Sequence, residues 1–149
     1  MVHVHVWPFS LTGKNIGHAS LTIRGTGPEV YVSWWPKGSI KNLVYGPAIA
    51  SDFASDVKSE GAPPYTVSLR RLSESRMCRA WEIWKRHLGW GMFGPNCCTA
   101  AGTLLRIGAP FETISADVEV VTYNHLLMAE PFYPDGVLLY AFRLKARGL

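Results

Sequence analysis

Cys97 follows Asn96, a strong helix N-cap residue, and heads a run through Ala100, Ala101, Leu104 and Leu105 that predicts a helix from Asn96 to Gly108. A sulfur in the first turn of a helix meets unpaired backbone N–H groups and the positive end of the macrodipole, and both favour thiolate over thiol. The approach, Gly89-Trp90-Gly91-Met92-Phe93-Gly94-Pro95, is glycine-rich, so backbone can come close to a substrate, and the Cys97 N–H is suited to an oxyanion hole. Cys97 is therefore a candidate nucleophile. The competing use of such a cysteine is apolar packing. Cys98, about 100° further round the helix, is expected to face the core and is the alternative nucleophile. Cys78 lies among polar residues at the start of another helix and is expected to be incidental.

A thiolate nucleophile needs a proton carrier, and imidazole is the usual one. Of five histidines, His18 is best placed. It follows Gly17 at the start of a strand and shares a face with Ser20 and Thr22; without the cysteine it would read as an edge-strand histidine in solvent. His3 and His5 share one face of another strand, but two imidazoles with no third ligand nearby make a weak metal site, so a solvated face without metal is expected. His87 sits beside Lys85 and Arg86 on a helix surface, and His125, beside Asn124, is a reserve candidate. The residue that orients the imidazole is expected opposite His18 on the partner strand, Tyr31 or Ser33, with Asp52 and Asn96 as further options. Trp34, Trp35, Trp90 and Asn96 are the candidates for holding a substrate. No cofactor is expected.

These residues need elements to position them. Val2, Val4 and Val6 alternate with His3 and His5, and Ala19, Leu21 and Ile23 alternate with His18, Ser20 and Thr22, the period of half-buried strands. Gly25 to Pro28 supplies a turn, and Val30 to Trp35 reads as one return strand, making an antiparallel hairpin. Residues 36–64 are rich in Gly, Pro and Ser, with a short helix expected near Ser51 to Glu60. Tyr65 to Leu69 is a further strand. Ser73 is placed to cap a helix whose stripe is Met77, Ala80, Trp81, Trp84 and Leu88. The mainly apolar run Val137 to Leu144 predicts a central strand. Strands and helices do not alternate regularly, which suits an α+β domain with two helices on an antiparallel sheet.

Composition narrows the function classes. A chain of 149 residues, 48% hydrophobic, builds one core without staples, so residues 1–149 are read as a single domain. The apolar runs fall short of the roughly 18–20 residues that span a bilayer, and the N-terminus lacks the basic start and apolar stretch of a secretory signal. The three cysteines include no CxxC pair and two are adjacent, which argues against a disulfide scaffold and a zinc finger. The excess of 15 Lys and Arg over 11 Asp and Glu is mild, and the basic stretch from Arg70 to Arg86 carries no recognised reading motif, so no nucleic-acid partner is expected.

In chain order, Gly17-His18-Ala19 on an early strand, Tyr31-Val32-Ser33-Trp34-Trp35-Pro36 on the next, and Asn96-Cys97 opening a late helix resemble the circularly permuted papain-like cysteine enzymes. That superfamily includes permuted NlpC-type peptidases and lecithin:retinol acyltransferase-like proteins. In ordinary papain-like enzymes the cysteine precedes the histidine; in the permuted group the histidine comes first, as here. The segment Asn96-Cys97-Cys98-Thr99-Ala100-Ala101 is similar to the Asn-Cys, small residue, Thr pattern of the family helix and aligns the family cysteine with Cys97. The Gly-His-Ala and Ser-Trp-Trp-Pro strands also resemble toxin or effector modules exported by bacteria. The resemblance spans roughly residues 15–110. It departs from the acyltransferase branch, where an acidic residue and then His follow the Asn-Cys, and it supplies no acidic or second histidine orienter near His18.

The resemblance implies a papain-like antiparallel sheet packed with helices and a catalytic cysteine at a helix N-terminus. It implies a cysteine hydrolase of the amidase or peptidase type, forming an acyl-enzyme on Cys97 with His18 as general base, on a peptide, peptidoglycan or acylated substrate. A thiol acyltransferase or lipid acyl hydrolase on the same scaffold is the alternative. If the chain is a toxin, a cognate immunity or chaperone protein and a dedicated secretion system follow, with the chain cytoplasmic as made. A separate reading is a non-enzymatic module that grips a ligand with Trp7, Trp34, Trp35 and Trp90.

Overall fold

The computed structural model describes residues 1–9, 17–25, 27–38, 45–92, 94–110 and 133–149. His125 and Phe93 lie outside the described residues.

Strand β1 (Val2–Trp7) pairs antiparallel with β2 (His18–Ile23), in a register that sets Trp7 opposite His18 and Val6 opposite Ala19. On its other side β1 pairs with β7 (Tyr65–Leu69), and β3 (Val30–Val32) flanks β2, so the four-stranded antiparallel sheet has the order β3-β2-β1-β7. The further strand expected at residues 65–69 is therefore an edge beside the first strand of the chain. Alternation divides the two faces. Val2, Val4, Val6, Leu21 and Leu69 are fully buried on one of them, and each contributes roughly 1.5–3 kcal/mol by leaving water.

Among the described helices, two lie on that apolar face and a third packs against one of them. α3 (Cys97–Gly108) lies against β2, and α2 (Glu74–His87) packs on α3 and buries Met77, Ala80, Trp81 and Trp84. Ser73 stands at the N-cap of α2, but its side chain makes no capping hydrogen bond. The other helix on the sheet, α4 (Pro134–Ala146), lies over β1 and β7 and overturns the central strand expected at 137–144. Its buried residues Pro134, Val137, Ala141 and Leu144 recur at three- and four-residue spacing, and Pro134 at the first turn starts a helix rather than ending one. The molecule is α+β. No described helix is long and apolar enough to cross a membrane.

The return strand expected over 30–35 is broken at Ser33. β3 stays with the sheet, whereas β4 (Trp34–Pro36) leaves it to pair with β6 (Ala48–Ala50); β5 (Tyr45–Gly46) pairs with β8 (Trp90–Gly91). The register between β2 and β3 reaches only from Ile23 to Leu21, leaving His18, Ala19 and Ser20 outside it. That end of β2 is where the site forms.

The polar face of the sheet is covered too. Helix α1 (Phe53–Glu60), capped by Asp52, lays the Phe53 ring 4.9 Å from His5 and 6.0 Å from Tyr31, and turns Asp56 and Glu60 inward. His5 is 7% exposed, so the solvated histidine face expected from the alternation is replaced by a buried polar layer. Its two ring nitrogens engage the hydroxyls of Thr66 and Thr22 at 3.0 and 2.9 Å, which leaves neither for a metal.

Candidate active site

Gly17 precedes His18 with φ of 79°, and a Cβ there would lie 2.9 Å from both the Trp7 carbonyl oxygen and the Phe9 nitrogen. Only glycine fits that approach without strain. His18 is then fixed at the first position of β2 and is 1% exposed, an interior histidine rather than one on a solvated edge.

Its Nε2 lies 3.0 Å from Asp56 Oδ2 and 3.1 Å from Ser33 Oγ. The carboxylate is itself anchored: the Tyr31 hydroxyl donates to Oδ2 at 2.7 Å and the Trp35 indole N–H donates to Oδ1 at 2.8 Å. Trp35 also stacks on the imidazole with ring centroids 4.4 Å apart. Asp56 is the residue that sequence reasoning missed. It stands 38 positions from His18, on a helix whose only visible signal was an N-cap followed by two carboxylates one turn apart.

The other members fall into clear places. Ser33 reaches His18 directly, because the break between β3 and β4 brings its hydroxyl to the ring. Tyr31 acts on Asp56 and on Ser20 Oγ, also at 2.7 Å, rather than opposing the imidazole. Asp52 and Asn96 are both spent as N-caps. Asp52 accepts from the Ser55 N–H, and Asn96 Oδ1 accepts from the Cys98 and Thr99 N–H groups at 3.0 Å each, while Thr99 Oγ1 closes a capping box on the Asn96 N–H.

Two of the three tryptophans expected to hold substrate are core residues. Trp34 is 3% exposed, crosses Trp81 edge to face and donates its indole N–H to the Gly89 carbonyl; Trp90 is 5% exposed. Trp7 is buried as well, donating to the Ala62 carbonyl. A module gripping a ligand with exposed aromatics thus loses most of its surface, since Trp35 alone of the four keeps partial exposure, and it is engaged with His18 and Asp56.

Cys97 is half-buried at the first position of α3, and Cys98 behind it is buried with its sulfur 3.8 Å from that of Cys97. The hydrogen bond with Cys98, the positive charge and hydrogen bond of His18, and the Ala19 N–H together overcome burial and hold the Cys97 thiol well below the ordinary thiol range. Ala19 is available for this because it lies outside the β2–β3 register. Since His18 Nε2 is committed to Asp56 and Ser33, Nδ1 is the ring nitrogen left for Cys97.

The electrostatics of the three groups are mutually consistent. Burial alone would lower His18, but the negative charge of Cys97 and the hydrogen bonds to Asp56 and Cys97 raise it to about 9. Burial alone would raise Asp56, but the hydrogen bond and charge of His18, with the Tyr31 and Ser33 hydroxyls, bring it to about 2. Burial also pushes the Tyr31 phenol up, and the neighbouring carboxylate adds to it, so Tyr31 remains a donor. These shifts favour the thiolate of Cys97, the imidazolium of His18 and the carboxylate of Asp56 together.

Fold and site together define an α+β chain with a thiol, imidazole and carboxylate assembled at one end of an antiparallel sheet. No family model, no curated protein and no solved structure matches it.

Proposed function

We propose that this chain is a cysteine hydrolase of the amidase or peptidase type, built as a permuted papain-like enzyme in which Cys97 is the nucleophile, His18 the proton carrier and Asp56 the residue that orients it. The observation that carries the reading is the chain of polar contacts from Asp56 through His18 to a cysteine at a helix N-terminus. Such a chain fixes the imidazole's tautomer and lowers the thiol's hold on its proton before any substrate arrives.

In this mechanism His18 already holds the proton of Cys97. The thiolate attacks the carbonyl carbon of an amide, and the oxyanion is met by the Cys97 backbone N–H at the start of α3. His18 Nδ1–H passes its proton to the leaving nitrogen, the C–N bond breaks, and a thioester to Cys97 remains. Neutral His18 then takes a proton from water, hydroxide adds to the thioester carbon, and collapse expels the Cys97 thiolate beside an imidazolium, restoring the starting pair. Asp56 stays ionised throughout, stabilising the imidazolium.

The test uses p-nitrophenyl acetate as a generic acyl donor. A burst of nitrophenolate and an acetyl group on Cys97, found by peptide mass mapping, are expected from the native chain, with both lost in Cys97→Ala of unchanged fold. Equal acylation in that variant would remove Cys97 from the chemistry.

A further inference from the structure

The first turn of α3 is a poorer source of donors for Cys97 than a helix start usually is. Asn96 Oδ1 takes the Cys98 and Thr99 N–H groups, and the Ala100 N–H is bonded to the Asn96 carbonyl at 2.9 Å. The cap that fixes the helix therefore consumes the amides that would ordinarily steady a thiolate there. The sulfur must be held by something else. Around it stand His18, the Ala19 N–H and the thiol of Cys98.

We propose that Cys98 is a positioning residue for Cys97: its buried S–H donates to the Cys97 sulfur, replaces an amide donor spent on the cap, and holds the nucleophile against His18. The inference rests on the reading of Cys97 as the nucleophile. Geometry supports the direction of donation. Cys98 is 3% exposed and faces the core, whereas Cys97 is half-buried at the mouth of the helix beside the buried His18–Asp56 pair. The hydrogen bond to Cys97, burial, the charge of Cys97, and the carboxylates of Asp135 and Glu60 all keep the Cys98 proton in place. A disulfide between the two is disfavoured, because neighbouring Cα atoms across a trans peptide lie about 3.8 Å apart, below the span a relaxed disulfide takes.

The experiment is the pH dependence of iodoacetamide alkylation, with the modified cysteine located by peptide mass mapping, for the native chain and for Cys98→Ala, Cys98→Val and Cys98→Ser. Alanine and valine lack a donor, and valine fills the core if alanine loosens it; serine keeps a hydroxyl. Both apolar variants should shift the Cys97 profile upward by about half to one pH unit, a roughly three- to tenfold loss of rate on the rising limb. Serine should stay within about twofold of native, even though a buried hydroxyl costs it more in stability than valine. A role in packing alone would follow the stability order instead. No shift in the apolar variants, or the same shift in all three, overturns the inference while leaving the nucleophile reading intact. An ordinary thiol profile for Cys97 in the native chain overturns both.

Discussion

His18 Nε2 and Asp56 Oδ2 lie 3.0 Å apart with both side chains sealed from solvent. Removing one member of a buried ion pair leaves the other charged and unpaired, and this costs about 3–5 kcal/mol in well-sealed sites. The pair also links folding to pH. His18, raised from 6.5 to about 9, contributes stability that is complete below pH 6.5 and is lost as pH rises through about 9. Asp56, lowered from 3.8 to about 2, contributes stability present above pH 3.8 and lost as pH falls through about 2.

Asp56→Asn keeps the shape but removes the charge. Turnover should fall by about 10²- to 10⁴-fold, as when an orienting carboxylate is neutralised in other nucleophile–imidazole sites. The alkaline loss of thermal stability should begin at lower pH, because His18 no longer holds its proton so tightly. Steady-state kinetics and melting temperature against pH check both, and an unchanged alkaline limb would place the carboxylate outside the site.

Much of this architecture could be read directly from residue order. The helix from Asn96 was visible because the cap agrees with the run through Ala100, Ala101, Leu104 and Leu105, and the first two strands because apolar residues alternate with polar ones. Asp56 was hidden for a physical reason. Its importance comes from α1 folding over the polar side of the sheet, a contact between distant segments that no local pattern encodes, and the alternation of β1 and β2 wrongly suggested that this side was wet. The α4 error has a different origin. Six apolar residues in a row, Val137 to Phe142, fit a buried strand as well as a helix, and the deciding cue lay outside the run, in Pro134 and Asp135 before it.

Trp35 serves His18 in two ways that substitution can separate. Trp35→Phe retains a ring to stack on the imidazole and deletes the N–H that donates to Asp56 Oδ1. Activity should drop by roughly tenfold and stability by about 1–2 kcal/mol, the cost of one buried acceptor left short of a donor. Trp35→Leu should lose clearly more activity than Trp35→Phe; equal losses would mean that stacking contributes nothing.

His5 is held neutral. Burial, with the nearby charge of His3, lowers it to about 4, so between pH 6.5 and 4 the unfolded chain binds a proton that the folded chain does not. Stability should therefore fall as pH drops through that window, by on the order of 2–3 kcal/mol from this group. His5→Gln, which can still reach the threonine hydroxyls, should flatten this part of the curve in urea unfolding. An equally steep curve in the variant would assign the acid sensitivity elsewhere.

Asn96→Ala removes the side chain that accepts from both Cys98 and Thr99 N–H groups. The loss should be about 1–2 kcal/mol in denaturant midpoint with an unchanged slope, typical of a strong N-cap. A variant as stable as the native chain would show that α3 is held by packing alone.

The central claim is that Cys97 carries a thiolate because His18 stands beside it. It is tested most directly by the pH profile of Cys97 alkylation in the native chain and in His18→Ala. The native profile should already be on its plateau well below pH 8, the lower end of the ordinary range for a free cysteine, and His18→Ala should move its rising limb upward toward that range. A native Cys97 that reacts only above about pH 8, or one whose profile is indifferent to the loss of His18, would contradict the account.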